Sequence, residues 1–283
     1  MPATGPIPEP ATRTPVGNRM SLRHHEIAES GHRILNPYTE EKLMLLGRIC
    51  RLREGQRQLD LACGKGEMLT RWAERYGIGG VGVDLSEVFL AAARDRAAEL
   101  GVADRVNFER GDAGAYRAPD GAFDVVSCIG ASWIGQGLAG TIGLLRPAMR
   151  AGGLMLIGEP YWTEPPPEEA LEEIGVEAED HASLAGTLDR IEATGMELVE
   201  MVLADGDSWD RYAAEQWFAV SDWLRSVPGD HPDAADMRAF LEHARRTHLT
   251  WIRRYFGWGV FVLRESATAG RREEPRESAP TSR

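Results

Sequence analysis

A doubly wound α/β sheet is the fold this chain predicts, and three observations predict it. Short apolar runs alternate with helix-length amphipathic stretches between residues 57 and 162. A glycine turn separates the first run from the helix behind it, and acidic residues stand in or at the ends of the first three runs. Alternation of this kind implies parallel βαβ units, right-handed crossovers and a ligand outside the carboxyl ends of the strands.

The elements follow in order. Arg57–Gly64 (RQLDLACG) reads as a buried strand entering the glycine turn. Glu67–Gly77 follows as a helix, with Met68, Leu69, Trp72, Ala73 and Tyr76 on one face and Gly77 where a C-cap glycine belongs. Gly79–Ser86 is a second strand, and Glu87–Leu100 a helix that aligns Phe89, Ala92, Ala93, Arg96 and Leu100. Arg105–Ala113 and Ala122–Ser132 are the third and fourth strands. Leu138, Ile142, Leu145 and Met149 mark a helix ending near Arg150, before a fifth strand at Gly152–Trp162. Ser183–Thr194 is helical, Met196–Asp205 a sixth strand, and Trp258–Arg264 a seventh. The interval 206–256 is helical and aromatic, holding four of the eight tryptophans, and reads as an insertion covering one face of the sheet.

Composition bounds the function. The 283 residues carry 32 Lys+Arg against 44 Asp+Glu, a net charge of −12, which argues against an obligate nucleic-acid or anionic-membrane binder. Three cysteines (Cys50, Cys63, Cys128) form neither a zinc spacing nor a disulfide framework, which fits a reducing, cytoplasmic setting. No apolar run has the length of a membrane span, and the Pro-rich start lacks the hydrophobic stretch of a signal peptide. Segments 1–20 and 266–283 are too poor in apolar residues to repay their ordering entropy and are expected to be flexible. The ligand-binding domain is therefore 21–205 plus 257–265, with 206–256 as a substrate-covering insertion.

The chemistry is carried by Leu59–Leu69 (LDLACGKGEML). A dinucleotide fingerprint would need a third glycine where Leu69 stands. Instead an acid precedes the glycine pair, Asp60-x-x-x-Gly64-x-Gly66, and this resembles motif I of the class I S-adenosylmethionine (SAM) dependent methyltransferases. Asp84 ends the second strand 24 residues later, Gly111-Asp112-Ala113 ends the third, and Leu144–Glu159 looks like the family's turn into its fifth strand. The resemblance spans about 35–265 and is closest to the bacterial small-molecule, ubiquinone-biosynthesis-like group. It implies a Rossmann-like seven-stranded sheet and SAM as cofactor. Asp84 would take the ribose hydroxyls and Asp112 the adenine amino group. Asp60, Ala62, Gly64, Gly66, Leu85, Gly111, Ala113, Cys128 and Ile129 would complete the cofactor site. SAM is a phosphate-free cation, and carboxylates suit its hydroxyls and ammonium group.

The resemblance implies no fixed catalytic group, because in-line methyl transfer gains most from alignment and exclusion of water. Candidates to face the methyl group are Tyr38, as an aromatic lid or a packing residue; Trp133, between glycines after the fourth strand; and Glu159, Tyr161 and Trp162, just past the fifth. Arg245, Arg246, Arg253 and Arg254 either bind an anionic substrate group or form a solvated helix face. His243 and His248 are five apart, and no His-Glu-x-x-His or carboxylate cluster suggests a metal. The expected activity is methylation of a small molecule, without nucleic-acid or membrane partners. The alternatives are an RNA or DNA methyltransferase and a SAM-binding protein without transfer activity. Ser127-Cys128-Ile129-Gly130 stands where an amino-methylating nucleic-acid enzyme would carry (Asn/Asp)-Pro-Pro-(Tyr/Phe).

Overall fold

The computed structural model describes residues 12–13 and 19–267. Most of the two ends expected to be flexible lies outside the described residues; Thr12–Arg13 pairs antiparallel with Arg19–Met20. Helices α1 (Leu22–Ala28) and α2 (Glu40–Ile49) precede the sheet. The sheet strands are β1 (Arg57–Leu61), β2 (Gly79–Asp84), β3 (Val106–Arg110), β4 (Phe123–Ile129), β5 (Met149–Trp162), β6 (Met196–Leu203) and β7 (Phe256–Glu265). Helices α3 (Glu67–Tyr76), α4 (Glu87–Glu99), α5 (Leu138–Leu145), α6 (Glu168–Ile174) and α7 (Leu184–Glu192) lie between them. Before β7 come α8 (Gly206–Ser226), α9 (Ala234–Thr247), a π-helical turn (His248–Ile252) and α10 (Arg253–Tyr255).

The seven strands lie in the order β3-β2-β1-β4-β5-β7-β6. Neighbours from β3 through β5 pair in parallel, while β7 pairs antiparallel with both β5 and β6. The expected seven-stranded α/β sheet is thus present, with β7 alone running against the common direction. The reversal has a simple cause. β6 runs in the common direction and delivers the chain to the carboxyl edge; the helices 206–255 stay there, so β7 must re-enter from that edge.

The sheet buries both faces. Leu59, Leu61, Val83 and Val126 point into one apolar cluster with Ile142 and Leu145 of α5. The other cluster holds Leu43 and Leu46 of α2, Leu69 and Trp72 of α3 and Leu90 of α4. Trp72 is fully buried and its indole N–H donates to the Leu43 carbonyl at 3.1 Å, fixing α3 on α2. The helical insertion has a smaller core, where Val220, Met237 and Leu241 enclose Ala28 of α1. It therefore stands with α1 over the carboxyl edge rather than lying flat on a sheet face. Among the described residues no helix is long and apolar enough to cross a membrane.

Candidate active site

Three strand tips define the floor of one cavity. After β1 the chain turns through Ala62 (φ 57°), Gly64 (φ 54°) and Gly66 (φ 64°), all left-handed. Ala62 holds that conformation despite its Cβ, a local strain of the kind found at ligand sites. A Cβ on Gly66 would lie 2.5 Å from the Phe108 ring, so this glycine serves helix–sheet packing. The turn is pinned to β2 because the Gly64 N–H donates to Asp84 Oδ2 at 2.8 Å, while the Ser86 N–H donates to Oδ1 at 2.9 Å. Burial pushes the Asp84 carboxyl up, against these two N–H groups, which pull it down. Asp112, after β3, is exposed and accepts from the Gly114 N–H at 2.9 Å.

Asp60 is held from below by a polar chain inside the sheet. Gln58 donates to the Ser127 hydroxyl at 2.9 Å, and Ser127 donates to Asp60 Oδ1 at 2.6 Å. Asp60 is buried, and burial pushes its carboxyl up to about 7, against the Ser127 hydrogen bond. Its other oxygen has no protein partner among the described residues and belongs to a residue that borders the cavity. A partnerless oxygen on a mostly buried carboxylate suits a cation.

Of the residues expected at a cofactor, Asp60, Ala62, Gly64, Asp84 and Leu85 border the cavity. So do Asp112, Ala113, Ile129 and Tyr38. Gly66, Gly111 and Cys128 do not: Gly66 packs on Phe108, Gly111 donates to the Asp84 carbonyl, and Cys128 is buried beneath the floor. Tyr38 stacks on Trp258 of β7 (5.4 Å, 7°), and Trp133 borders the cavity from a half-open turn after β4. Glu159 and Tyr161 stand away from it. β5 continues to Trp162 and pairs Glu159 with Gly259 and Tyr161 with Gly257, so these residues lie inside the ladder instead of in a loop beyond it. Burial pushes the Glu159 carboxyl up to about 7. The four arginines also face elsewhere. Arg245 and Arg246 border an outer groove, Arg253 pairs with Asp210 and Arg254 with Glu164. All three cysteines are free, and burial pushes each thiol up, which suits packing rather than nucleophilic attack.

Sequence reasoning missed the segment that closes the site. Lys65, inside the glycine turn, donates to the carbonyls of Glu29 (2.8 Å), Ser30 (3.1 Å) and His32 (2.6 Å). The fully buried Glu29 accepts from the Tyr212 hydroxyl at 2.6 Å and the Gln216 amide at 2.7 Å. Burial pushes its carboxyl up, but the adjacent His32 and His25 and the Tyr212 hydroxyl prevail and hold it below its usual range. These bonds tie α1, the turn and α8 into a roof. Only the x in Gly64-x-Gly66 being a lysine pointed to it. No cluster of metal-ligating side chains occurs among the described residues.

Comparison with known proteins places this geometry. A family model described as a methyltransferase domain matches residues 59–153. An uncharacterized protein of Escherichia coli K12, YjhP, is 47% identical over 239 residues, covering 84% of this chain and 96% of the relative. A SAM-dependent methyltransferase from Geobacter sulfurreducens, solved with S-adenosyl-L-homocysteine (SAH), is 47% identical with TM-score 0.82, covering 86% of this chain and 98% of that one. Its counterpart from Thiobacillus denitrificans, also solved with SAH, is 44% identical with TM-score 0.82, at the same coverages. The chain belongs to the class I SAM-dependent methyltransferases. It is an enzyme of that family, and SAM is its methyl donor.

Proposed function

We propose that this methyltransferase transfers the methyl group of SAM to a small molecule, held in the part of the cavity enclosed by the helical insertion. One observation carries the reading: the acid-tipped floor and the aromatic rings of the insertion border a single cavity. Trp209, Tyr212 and Trp217 of α8 face the same space as Asp60, Asp84 and Asp112. A roof this close leaves room for a compact acceptor and none for a duplex laid across the strand ends.

In this reading Asp84 receives the two ribose hydroxyls on the lone pairs its backbone donors leave free. Asp112, with Ala113 beside it, meets the adenine. Asp60 and the Gly64 turn receive the amino-acid end, and Tyr38 and Ile129 supply apolar walls. SAM brings a positively charged sulfur that makes its methyl carbon electrophilic. The chain's own work is alignment and exclusion of water, for which Trp133 and the α1–α8 roof are placed. The likeness to 27-O-demethylrifamycin SV methyltransferase of Amycolatopsis mediterranei (37% identical over 103 residues) and to UbiE, a quinone-biosynthesis C-methyltransferase of Ectopseudomonas mendocina (32% over 120), supports a small acceptor.

Calorimetric titration with SAH tests the assignments. Asp84→Ala is expected to abolish detectable binding while the protein keeps its circular dichroism. Tyr38→Ala and Trp133→Ala are expected to weaken SAM or acceptor handling in the same folded state. Retained SAH affinity in Asp84→Ala would remove the ribose role.

A further inference from the structure

The cavity holds a polar group that donor binding leaves unused. His248 opens the π-helical turn, an irregularity common at functional sites, and is almost fully buried. Its Nε2 lies 2.9 Å from Asp210 Oδ1. A carboxylate only accepts, so Nε2 carries the proton of the neutral ring and Nδ1 is the bare nitrogen. Nδ1 has no partner among the described residues, and the ring borders the cavity edge-on to Trp217 (5.6 Å, 75°). Arg253 grips Asp210 through Nε at 2.8 and 3.1 Å, fixing the carboxylate that fixes the imidazole. Asp210 and Arg253 are the charged groups at this ring; His243, the next titratable group, stands near the Thr247 hydroxyl.

The other ionisable groups around the cavity are engaged or belong to the donor. Glu29 is bonded to Tyr212 and Gln216, Glu67 pairs with Arg96, and Arg33 pairs with Glu99. Lys65 is spent on three carbonyls, and His25 packs on Phe89 beside Asp84. Between α8 and α9 the walls are Trp209, Trp217 and Phe240 with the two imidazoles. Nothing there counters a charged acceptor. A flat, uncharged ring carrying an exchangeable proton fits.

We propose that His248 is the general base of the reaction and that the acceptor is an uncharged phenolic or enolic compound whose hydroxyl proton passes to Nδ1. This rests on the methyltransferase reading above and extends it to the acceptor. The acceptor oxygen forms its bond to the methyl carbon as the sulfur–methyl bond breaks, and that bonding pair stays on sulfur. The hydroxyl proton goes to Nδ1, and the imidazolium is stabilised by Asp210 until it releases the proton to solvent. Burial pulls the His248 ring below its usual range, outweighing the opposing pull of Asp210, and so keeps the ring neutral and able to accept.

The test uses SAH-loaded protein with 4-methylphenol, which keeps its hydroxyl proton at pH 7, as probe. Nitrogen-15 NMR of the His248 ring is expected to show Nε2 protonated and Nδ1 bare at pH 7, and Nδ1 to shift toward a hydrogen-bonded acceptor when the phenol is added. His248→Gln is expected to bind the phenol about three- to tenfold more weakly, one neutral hydrogen bond, with SAH affinity unchanged. Asp210→Asn is expected to move the ring proton to Nδ1, a change that loss of packing alone would not cause. A phenol that fails to bind, binds all three proteins equally, or leaves Nδ1 unmoved overturns the proposal. Failure of the wild type to bind SAH would instead overturn the donor site.

Discussion

At Asp60 a buried carboxyl group keeps its proton near neutrality because nothing in the protein compensates its charge beyond one serine hydroxyl. In the site proposed above a bound cation would supply what is missing, and donor binding is then expected to expel that proton. With a free-state value of about 7, SAM affinity is expected to rise about fifteenfold between pH 5.5 and pH 7, measured by calorimetry. Asp60→Asn should flatten the dependence; an unchanged slope would show that another group titrates. Residues of this kind were legible from sequence because their chemistry and their place at a strand tip coincide. Asp60, Asp84 and Asp112 were found that way. Glu159 and Tyr161 are misplaced for the converse reason: the run to Trp162 reads as a strand, but a single sequence does not show that its far end pairs with a distant β7, away from the cavity. Gln58 and Ser127 escaped notice because a polar residue in a buried strand reads as noise until its partner is known.

At the level of elements, the helices and strands of 57–162 were readable from period and punctuation, whereas the order of assembly was not. The antiparallel β7 follows from the insertion's place on the carboxyl edge, a consequence of connectivity rather than of local pattern. The stretch from α1 to α2 has little periodicity, and its position is set by Lys65 capping the carbonyls at the end of α1. Lys65→Ala is therefore expected to free this segment. Amide hydrogen exchange should accelerate over residues 29–38, with protection in β1 and β4 unchanged. Equal protection in the variant would mean that Glu29, Tyr212 and Gln216 hold the roof unaided.

Across the whole molecule, sheet and insertion divide the labour. A doubly wound sheet with two apolar faces fixes three acids at adjacent strand tips, and the aromatic helices close over the space those acids border. The insertion keeps a small core of its own with α1, and Trp209, Ile252 and Tyr255 join it to the apolar clusters of the sheet. Acceptor choice can then vary with the insertion while the donor floor stays constant. The most direct measurement is a crystal structure with SAH. The ribose hydroxyls are expected on Asp84, the adenine beside Asp112, the amino-acid end at Asp60 and the sulfur turned toward the chamber of Trp217 and His248. SAH lying with its sulfur toward bulk solvent, or held without Asp84, would contradict that placement.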